Sequence, residues 1–182
     1  MPEDSALESL HDVAGNPVVR ERSYSWHDPA LVAERARGLS GLDFFASMGR
    51  GDISTAPVFA TLGIDMAKFE FEYGRVAMQF IPQEYHYNAI GSVHGGVITT
   101  LLDTVVGCAV HSTLAAGIGS TTVEIKVNFT RSVHVGSGVM RCEGKVITAG
   151  RTIGTAEGRL MDSQGRTCAF ATTTCLLFPY PS

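Results

Sequence analysis

The chain has 182 residues, of which 45% are hydrophobic and 18% are charged, with only 7 prolines. This length is typical of one domain, and the composition excludes a disordered or fibrous chain. The formal net charge of −4 at pH 7 provides no overall positive field for nucleic acid or an anionic membrane surface.

Targeting and disulfide signals are absent from the sequence pattern. The first residues, MPEDSALESLHDV, carry acidic groups where a secretory signal would carry basic ones. No later segment reaches the roughly 18 apolar residues of a membrane helix. The four cysteines stand in apolar segments without a C-x-x-C pair, which is typical of reduced core thiols. We therefore expect a cytoplasmic protein with no membrane partner, no disulfide framework and no bound metal.

The first 55 residues are predicted to form an N-terminal extension. Residues 1–26 are polar and aperiodic, which is typical of an arm whose order depends on what it contacts. Asp28 and Pro29 are N-cap and first-turn signals, and they predict a short amphipathic helix. We expect the principal domain to occupy residues 56–182.

Several later segments alternate apolar with polar residues, as β-strands do. Two such runs within residues 69–80 meet at Gly74 and predict a β-hairpin. In the next strand, the inward face is predicted to carry Val123, Ile125, Val127 and Phe129. Further strands are expected near residues 138–148, 151–161 and 167–178.

One helix is predicted between the hairpin and these later strands. Its apolar positions, from Val97 to Ala109, cover most of the circumference, so we expect burial nearly all round. Antiparallel strands that are half polar bury one sheet face, and a single apolar helix covers that face. The prediction is an α+β fold in which five to six antiparallel strands wrap around one long helix.

Asp103 is the one carboxylate in this apolar helix. An ionised group in such surroundings needs a partner, a hydrogen bond or a function, and a structural bond to loop backbone remains the alternative. Gly95 and Gly96 open the helix, so a substrate can approach the backbone and the first-turn N–H groups can stabilise a carbonyl oxygen. A tight turn without a ligand is the alternative for the glycines. Asn88 can add a donor or stabilise the loop.

The spacing of these residues bears on assembly. Gly95 and Asp103 are eight residues apart, or about 12 Å along one helix axis. One subunit therefore cannot bring both to the same carbonyl carbon. If both act on one substrate, a second copy must place its Asp103 beside Gly95, as a two-fold axis allows.

Three blocks in order resemble the hotdog-fold thioesterases of the phenylacetate-degradation and 4-hydroxybenzoyl-CoA type. The blocks are HYNAIGSVHGGVITTLLDTVVGCAV, TTVEIKVNFTRSV and GRTIGTAEGRLMDSQGRTCAFATTTCLLF, and the likeness spans residues 56 to 179. The resemblance implies a hotdog fold and hydrolysis of acyl-CoA thioesters, with aryl, short-chain and medium-chain acyl groups all open. It also implies self-association as a homodimer or a dimer of dimers, a tetramer. No cofactor is implied, and coenzyme A enters only as part of the substrate.

The resemblance also implies residue roles. Asp103 matches the catalytic carboxylate, acting as nucleophile or as general base for water. Gly95 matches the residue whose backbone N–H binds the thioester oxygen, and Asn88 matches the side chain that helps to polarise it. His94 matches a histidine near the leaving thiolate, or one that shapes the loop. Thr122 matches a hydroxyl that bonds the water or the partner subunit's carboxylate.

Two further residues are predicted to contact substrate. Gly96 belongs to the glycine pair that the substrate approaches, and Arg131 is a candidate contact for the phosphates of coenzyme A. A solvated surface arginine is the alternative for Arg131.

Three rival functions remain open at this point. They are a hotdog dehydratase or hydratase, an acyl-CoA-binding module without turnover, and a purely structural role for the segment that ends at Asp103.

Overall fold

The computed structural model describes residues 16–180. Within them, three short α-helices precede a six-stranded sheet, and a fourth, longer helix packs on one face of that sheet. The helices are α1 (Pro29–Ala36), α2 (Gly41–Gly49), α3 (Pro57–Leu62) and α4 (Gly95–His111). The strands are β1 (Phe69–Glu72), β2 (Arg75–Phe80), β3 (Ile118–Phe129), β4 (Met140–Ala149), β5 (Ile153–Met161) and β6 (Thr167–Pro179).

The sheet has the order β1-β2-β4-β5-β6-β3, and every neighbouring pair is antiparallel. Because α4 lies between β2 and β3 in the chain, β3 is carried to the far edge, where it pairs only with β6. The predicted α+β fold, with about six strands around one long helix, is confirmed. None of the helices in residues 16–180 is long and apolar enough to cross a membrane.

The core lies between the sheet and one face of α4. Three glycines on the sheet allow the helix to come close, because a Cβ atom there would collide with it. A Cβ at Gly144 would overlap the Val105 carbonyl, one at Gly154 would lie 2.6 Å from a Val110 methyl carbon, and one at Gly158 would lie 2.7 Å from a Val106 methyl carbon. The α4 side chains buried on this face belong to Ile98, Leu101, Leu102, Val105, Val106, Ala109 and Val110.

The opposite face of α4 is open. Asp103, Gly107 and His111, one turn apart, are only partly buried. The prediction that α4 is buried nearly all round is therefore wrong on this stripe. The sheet covers one side of the helix, whereas the N-terminal helices leave a cavity on the other.

Strand β3 contains a β-bulge at Val123, between Thr122 and Glu124. A bulge inserts one extra residue and reverses which face the following side chains occupy. Thr122 therefore reaches α4 before the bulge, whereas Ile125 and Val127 pack on the core after it. Val123 is 57% exposed, so its predicted inward orientation is wrong.

The helix predicted at Asp28-Pro29 is present, and the Asp28 carboxylate accepts a hydrogen bond from Ala30 N at 2.9 Å. Helix α3 was not predicted, because residues 54–57 have the composition of a connection. The assignment of residues 1–55 as the extension and 56–182 as the principal domain stays a prediction.

The N-terminal helices dock on the end of α4. Gly41 N donates to Leu114 O at 3.0 Å, and Gly117 N donates to Arg37 O at 3.0 Å. A Cβ at Gly41 would overlap the carbonyl of His111, so only glycine permits this approach.

The described part of the predicted arm is attached to α3. The Arg22 guanidinium donates to the Thr61 and Ala60 carbonyls, both at 2.6 Å, and lies over the Tyr85 ring. These bonds satisfy carbonyl groups at the C-terminal end of α3. The remainder of the predicted arm, residues 1–15, lies outside the described residues.

Candidate functional site

The partly buried carboxylate of Asp103 is held by β3. Thr122 Oγ1 donates to Asp103 Oδ1 at 2.9 Å within the same chain. The bulge after Thr122 places this hydroxyl toward the helix. The contact orients the carboxylate and leaves its second oxygen for other chemistry, while the predicted roles of both residues stay predictions.

Two thiols lie near Asp103, and neither is a candidate for an anionic catalytic group. Burial, together with the negative charge of Asp103, raises the pKa of the Cys108 thiol to about 12. Burial also raises the pKa of Cys175. Both thiols are therefore protonated at neutral pH and do not supply a thiolate.

A cavity of about 450 Å³ opens beside Asp103. It lies between the open stripe of α4, the first half of β3 and the N-terminal helices, and its walls are mainly apolar. One wall is a row of stacked rings, with centroid distances of 4.4 Å for Phe45–Phe71, 5.3 Å for Phe71–Phe69 and 5.5 Å for Phe69–Phe59. The cavity can therefore hold an apolar group next to a carboxylate.

A second polar pair lines the same cavity. His111 Nδ1 lies 3.2 Å from Ser120 Oγ, and burial lowers the pKa of His111, which favours the neutral imidazole. Sequence reasoning did not single out these residues. The signal was present, because His111 is eight residues beyond Asp103 on the helix and Ser120 is two residues before Thr122 on the strand.

A different cavity, of about 380 Å³, lies at the N-terminal end of α4. Asn88, Gly95 and Arg131 line it, together with Phe129 at the end of β3. Phe129 is 54% exposed, and its ring lies against the Gly95 backbone and not in the core. The prediction of an inward Phe129 is therefore wrong.

His94 is the N-cap of α4. Its Nδ1 accepts a hydrogen bond from Gly96 N at 2.9 Å, so the Gly96 N–H is occupied. Within residues 16–180, no group accepts a hydrogen bond from the Gly95 N–H. The helix N-terminus thus presents one unused donor beside the smaller cavity, where the helix dipole favours negative charge.

Asn88 holds the loop that precedes the helix. Its Oδ1 accepts from Ile90 N at 3.0 Å and from Ser92 N at 3.2 Å, and its Nδ2 donates to Ser92 Oγ at 3.1 Å. Of the two predicted roles for Asn88, these bonds favour stabilisation of the loop.

The structure therefore divides the predicted residues into two groups. Asp103 and Thr122 line the larger cavity, whereas Asn88, Gly95 and Arg131 line the smaller one. One chain does not bring the carboxylate and the helix N-terminus to a common point. In the described part of the chain, no group of three or more His, Cys, Asp or Glu side chains is placed to hold a metal ion.

Part of the chain is similar to a known family model and to individual curated proteins. Residues 90–169 match the family model described as "Thioesterase superfamily". A protein of Saccharolobus solfataricus named "Putative esterase" is 29% identical over 57% of this chain and 71% of its own length. A protein of Halobacterium salinarum with the same description is 35% identical, over 37% of this chain and 44% of its own length.

Solved structures give a similar result over more of the chain. A thioesterase family protein from Silicibacter pomeroyi has a TM-score of 0.66 at 26% identity, covering 75% of this chain and 99% of the other. A phenylacetic acid degradation-related protein from Ralstonia eutropha has a TM-score of 0.62 at 27% identity, covering 72% and 98%. A Streptococcus mutans protein bound to acetyl CoA has a TM-score of 0.56 at 25% identity, covering 63% and 91%. The chain has the same hotdog fold as these thioesterase structures.

Proposed function

From the thioesterase-superfamily match at residues 90–169 in a hotdog fold, we propose that this protein hydrolyses acyl-CoA thioesters to a carboxylic acid and coenzyme A. The observation that carries the proposal is the position of Asp103, a carboxylate fixed by Thr122 at the edge of an apolar cavity. The neighbour bound to acetyl CoA supports a coenzyme A thioester as the substrate. The proposal includes that this protein is a thioesterase of the phenylacetate-degradation type.

The oxyanion site is the N-terminus of α4. In the proposed reaction, the Gly95 N–H donates to the thioester oxygen as negative charge develops there. His94 assists by occupying the Gly96 N–H, and Asn88 holds the preceding loop. A Cβ at Gly96 would lie 2.9 Å from His94 Nδ1, so the missing side chain makes room for the His94 ring, and the substrate contact of Gly96 stays a prediction.

Asp103 of a second copy supplies the carboxylate, because one chain holds Asp103 and Gly95 in separate cavities. As a general base, it takes a proton from water while the water oxygen bonds to the carbonyl carbon. The C–S bond then breaks, and coenzyme A leaves as a thiolate. As a nucleophile, it would form an acyl anhydride that water hydrolyses.

The proposal extends to binding and assembly. Arg131 is exposed and has no ion pair with any residue in the range 16–180, so its guanidinium is available for a coenzyme A phosphate. A shared site requires a homodimer, and a homotetramer would be a dimer of such dimers. We place the enzyme in the cytoplasm.

The first test is thiol release from a panel of aromatic and aliphatic acyl-CoA thioesters. Asp103→Asn is expected to lower kcat by about 100-fold or more without loss of the oligomer, because the amide cannot accept the proton or attack. Glu157→Gln, on the exposed side of β5, is the matched control. Acyl-CoA binding by wild type without thiol release would contradict hydrolysis and indicate a binding module.

A second variant tests the shared site. Gly95→Pro removes the N–H and adds a pyrrolidine ring, at a first helical position where proline is favoured and after a residue that is already extended, with ψ of 136°. It should lower kcat by about 100-fold or more, whereas Gly95→Ala keeps the donor and the neighbouring Phe129 contact. Mixed oligomers of Gly95→Pro and Asp103→Asn should regain activity. No recovery on confirmed mixing would contradict a site built from two subunits.

A further inference from the structure

Gly107 lies in the interior of α4 without a packing reason. Glycine is less favourable than alanine at such a position, because it loses more conformational freedom when the helix forms. A Cβ at Gly107 would meet only Thr122 Oγ1, at an ordinary contact distance of 3.9 Å. The residue lines the larger cavity, so the missing side chain leaves space there and not a close approach.

The two polar pairs stand on either side of this space. Asp103 precedes Gly107 by one helical turn, and His111 follows it by one turn. The helix separates these two residues by about 12 Å, whereas their β3 partners, Thr122 and Ser120, are about 7 Å apart. The open stretch from the carboxylate to the imidazole is therefore about 7 to 12 Å long.

One wall of this cavity is apolar and comes from outside the family-matched segment. Phe44, Phe45 and Met48 of α2 line it, and the Phe45 ring stacks on Phe71 of β1. The volume of about 450 Å³ is at the lower end of the range for small-molecule pockets. A cavity of this size and lining suits an uncharged group of limited length.

We propose that the acyl group of the thioester lies across Gly107 in this cavity, and that Gly107 together with α2 selects its size. The acyl groups favoured are those with a single ring or a medium-length alkyl chain, in preference to acetyl. This inference rests on the proposed hydrolysis of acyl-CoA. The N-terminal helices are then a part of the substrate site that determines specificity.

The test is the ratio of kcat/KM for octanoyl-CoA or benzoyl-CoA to that for acetyl-CoA. Gly107→Leu should lower this ratio by at least about tenfold, because its side chain occupies the acyl space, and Gly107→Ala should lower it less. Gly49→Leu is the matched control, since Gly49 ends α2 at an exposed position with open space around it. An unchanged ratio in folded Gly107→Leu, or a wild type that prefers acetyl-CoA, would overturn the inference.

Failure of the proposed function gives a separate signature. If wild type releases no thiol from any thioester, calorimetric titration with octanamide and benzamide, which are uncharged like the acyl group, tests the cavity alone. Binding that Gly107→Leu weakens by about tenfold or more supports the acyl site. No binding of either amide to folded wild type would overturn it.

Discussion

The two faces of α4 are both shaped by missing side chains, with opposite results. On the sheet side, Gly144 and Gly158 have no Cβ because α4 is too near to permit one. On the open side, Gly107 has none although a Cβ would fit. Glycine thus allows close packing on one face and leaves an unfilled space on the other. The sequence shows the same residue type in both places, and only the distance to the nearest atom distinguishes them.

The largest effect is expected from Gly144→Ala. The new methyl group would overlap the Val105 carbonyl, which belongs to helix backbone and cannot rotate away. Overpacking of this kind costs about 1–3 kcal/mol of unfolding free energy, and backbone contact favours the upper end. Urea unfolding measures the loss. Gly107→Ala is the comparison, and it should gain up to about 1 kcal/mol. Equal destabilisation by the two variants would remove the distinction between the faces.

A smaller effect is expected from Gly41→Ala, which tests how α2 closes the cavity on the open face. The added methyl group would overlap the His111 carbonyl and force α2 away from the end of α4. We expect faster limited proteolysis within α2 and weaker binding of octanamide, with a loss of about 1 kcal/mol in unfolding free energy. Gly38→Ala is the control, because open space surrounds Gly38. Unchanged proteolysis and unchanged octanamide binding in Gly41→Ala would mean that α2 does not depend on this contact.

The smallest effect is a pH dependence from a buried histidine that contacts the C-terminal end of α3. His86 is 2% exposed, Gln83 N donates to its Nδ1, and its Nε2 lies 2.9 Å from Leu62 O. Burial lowers the pKa of His86 below the ordinary value of 6.5, so protons bind the unfolded chain more readily. The unfolding free energy should be steady above about pH 6.5 and should fall as the pH drops below that value.

Urea unfolding at pH 8 and pH 5 measures this dependence. His86→Gln should be less stable than wild type at pH 8 and should lose less stability at pH 5. His27→Gln, at an exposed position, should retain the wild-type difference between the two pH values. Burial also lowers the pKa of His111, so His111 contributes a loss of stability at low pH in the same direction. Part of the pH dependence of the unfolding free energy should therefore remain in His86→Gln. An identical pH dependence in wild type and His86→Gln would contradict the assignment.

The main elements were predictable because their periodicity extends over many residues. Helix α4 and the long strands each repeat their pattern several times, whereas α3 is six residues long and begins at a proline after a polar connection. The bulge at Val123 was hidden for another reason. Val123, Ile125 and Val127 continue one alternating pattern in the sequence, although the chain reverses its faces between the first two.

The candidate site was predictable only where a residue is unusual in its own segment. Asp103 stands out because it is a carboxylate in an apolar helix, and Gly95 because it opens that helix. Gly107 and His111 acquire their significance from the N-terminal helices, which lie some 50 or more residues earlier in the chain. No local pattern records such a contact. The separation of Asp103 from Gly95 along α4 was predictable from helix geometry alone.

The bulge in β3 divides the strand into two halves that have different structural roles. Before Val123, the side chains of Ser120 and Thr122 contact the imidazole and the carboxylate of α4. After Val123, Ile125 and Val127 pack on the hydrophobic core. A substitution in one half leaves the register of the other half intact. Deletion of one residue at this position would instead exchange the two faces of the strand on one side of the deletion. We therefore expect the strand to tolerate substitutions far better than a change of length.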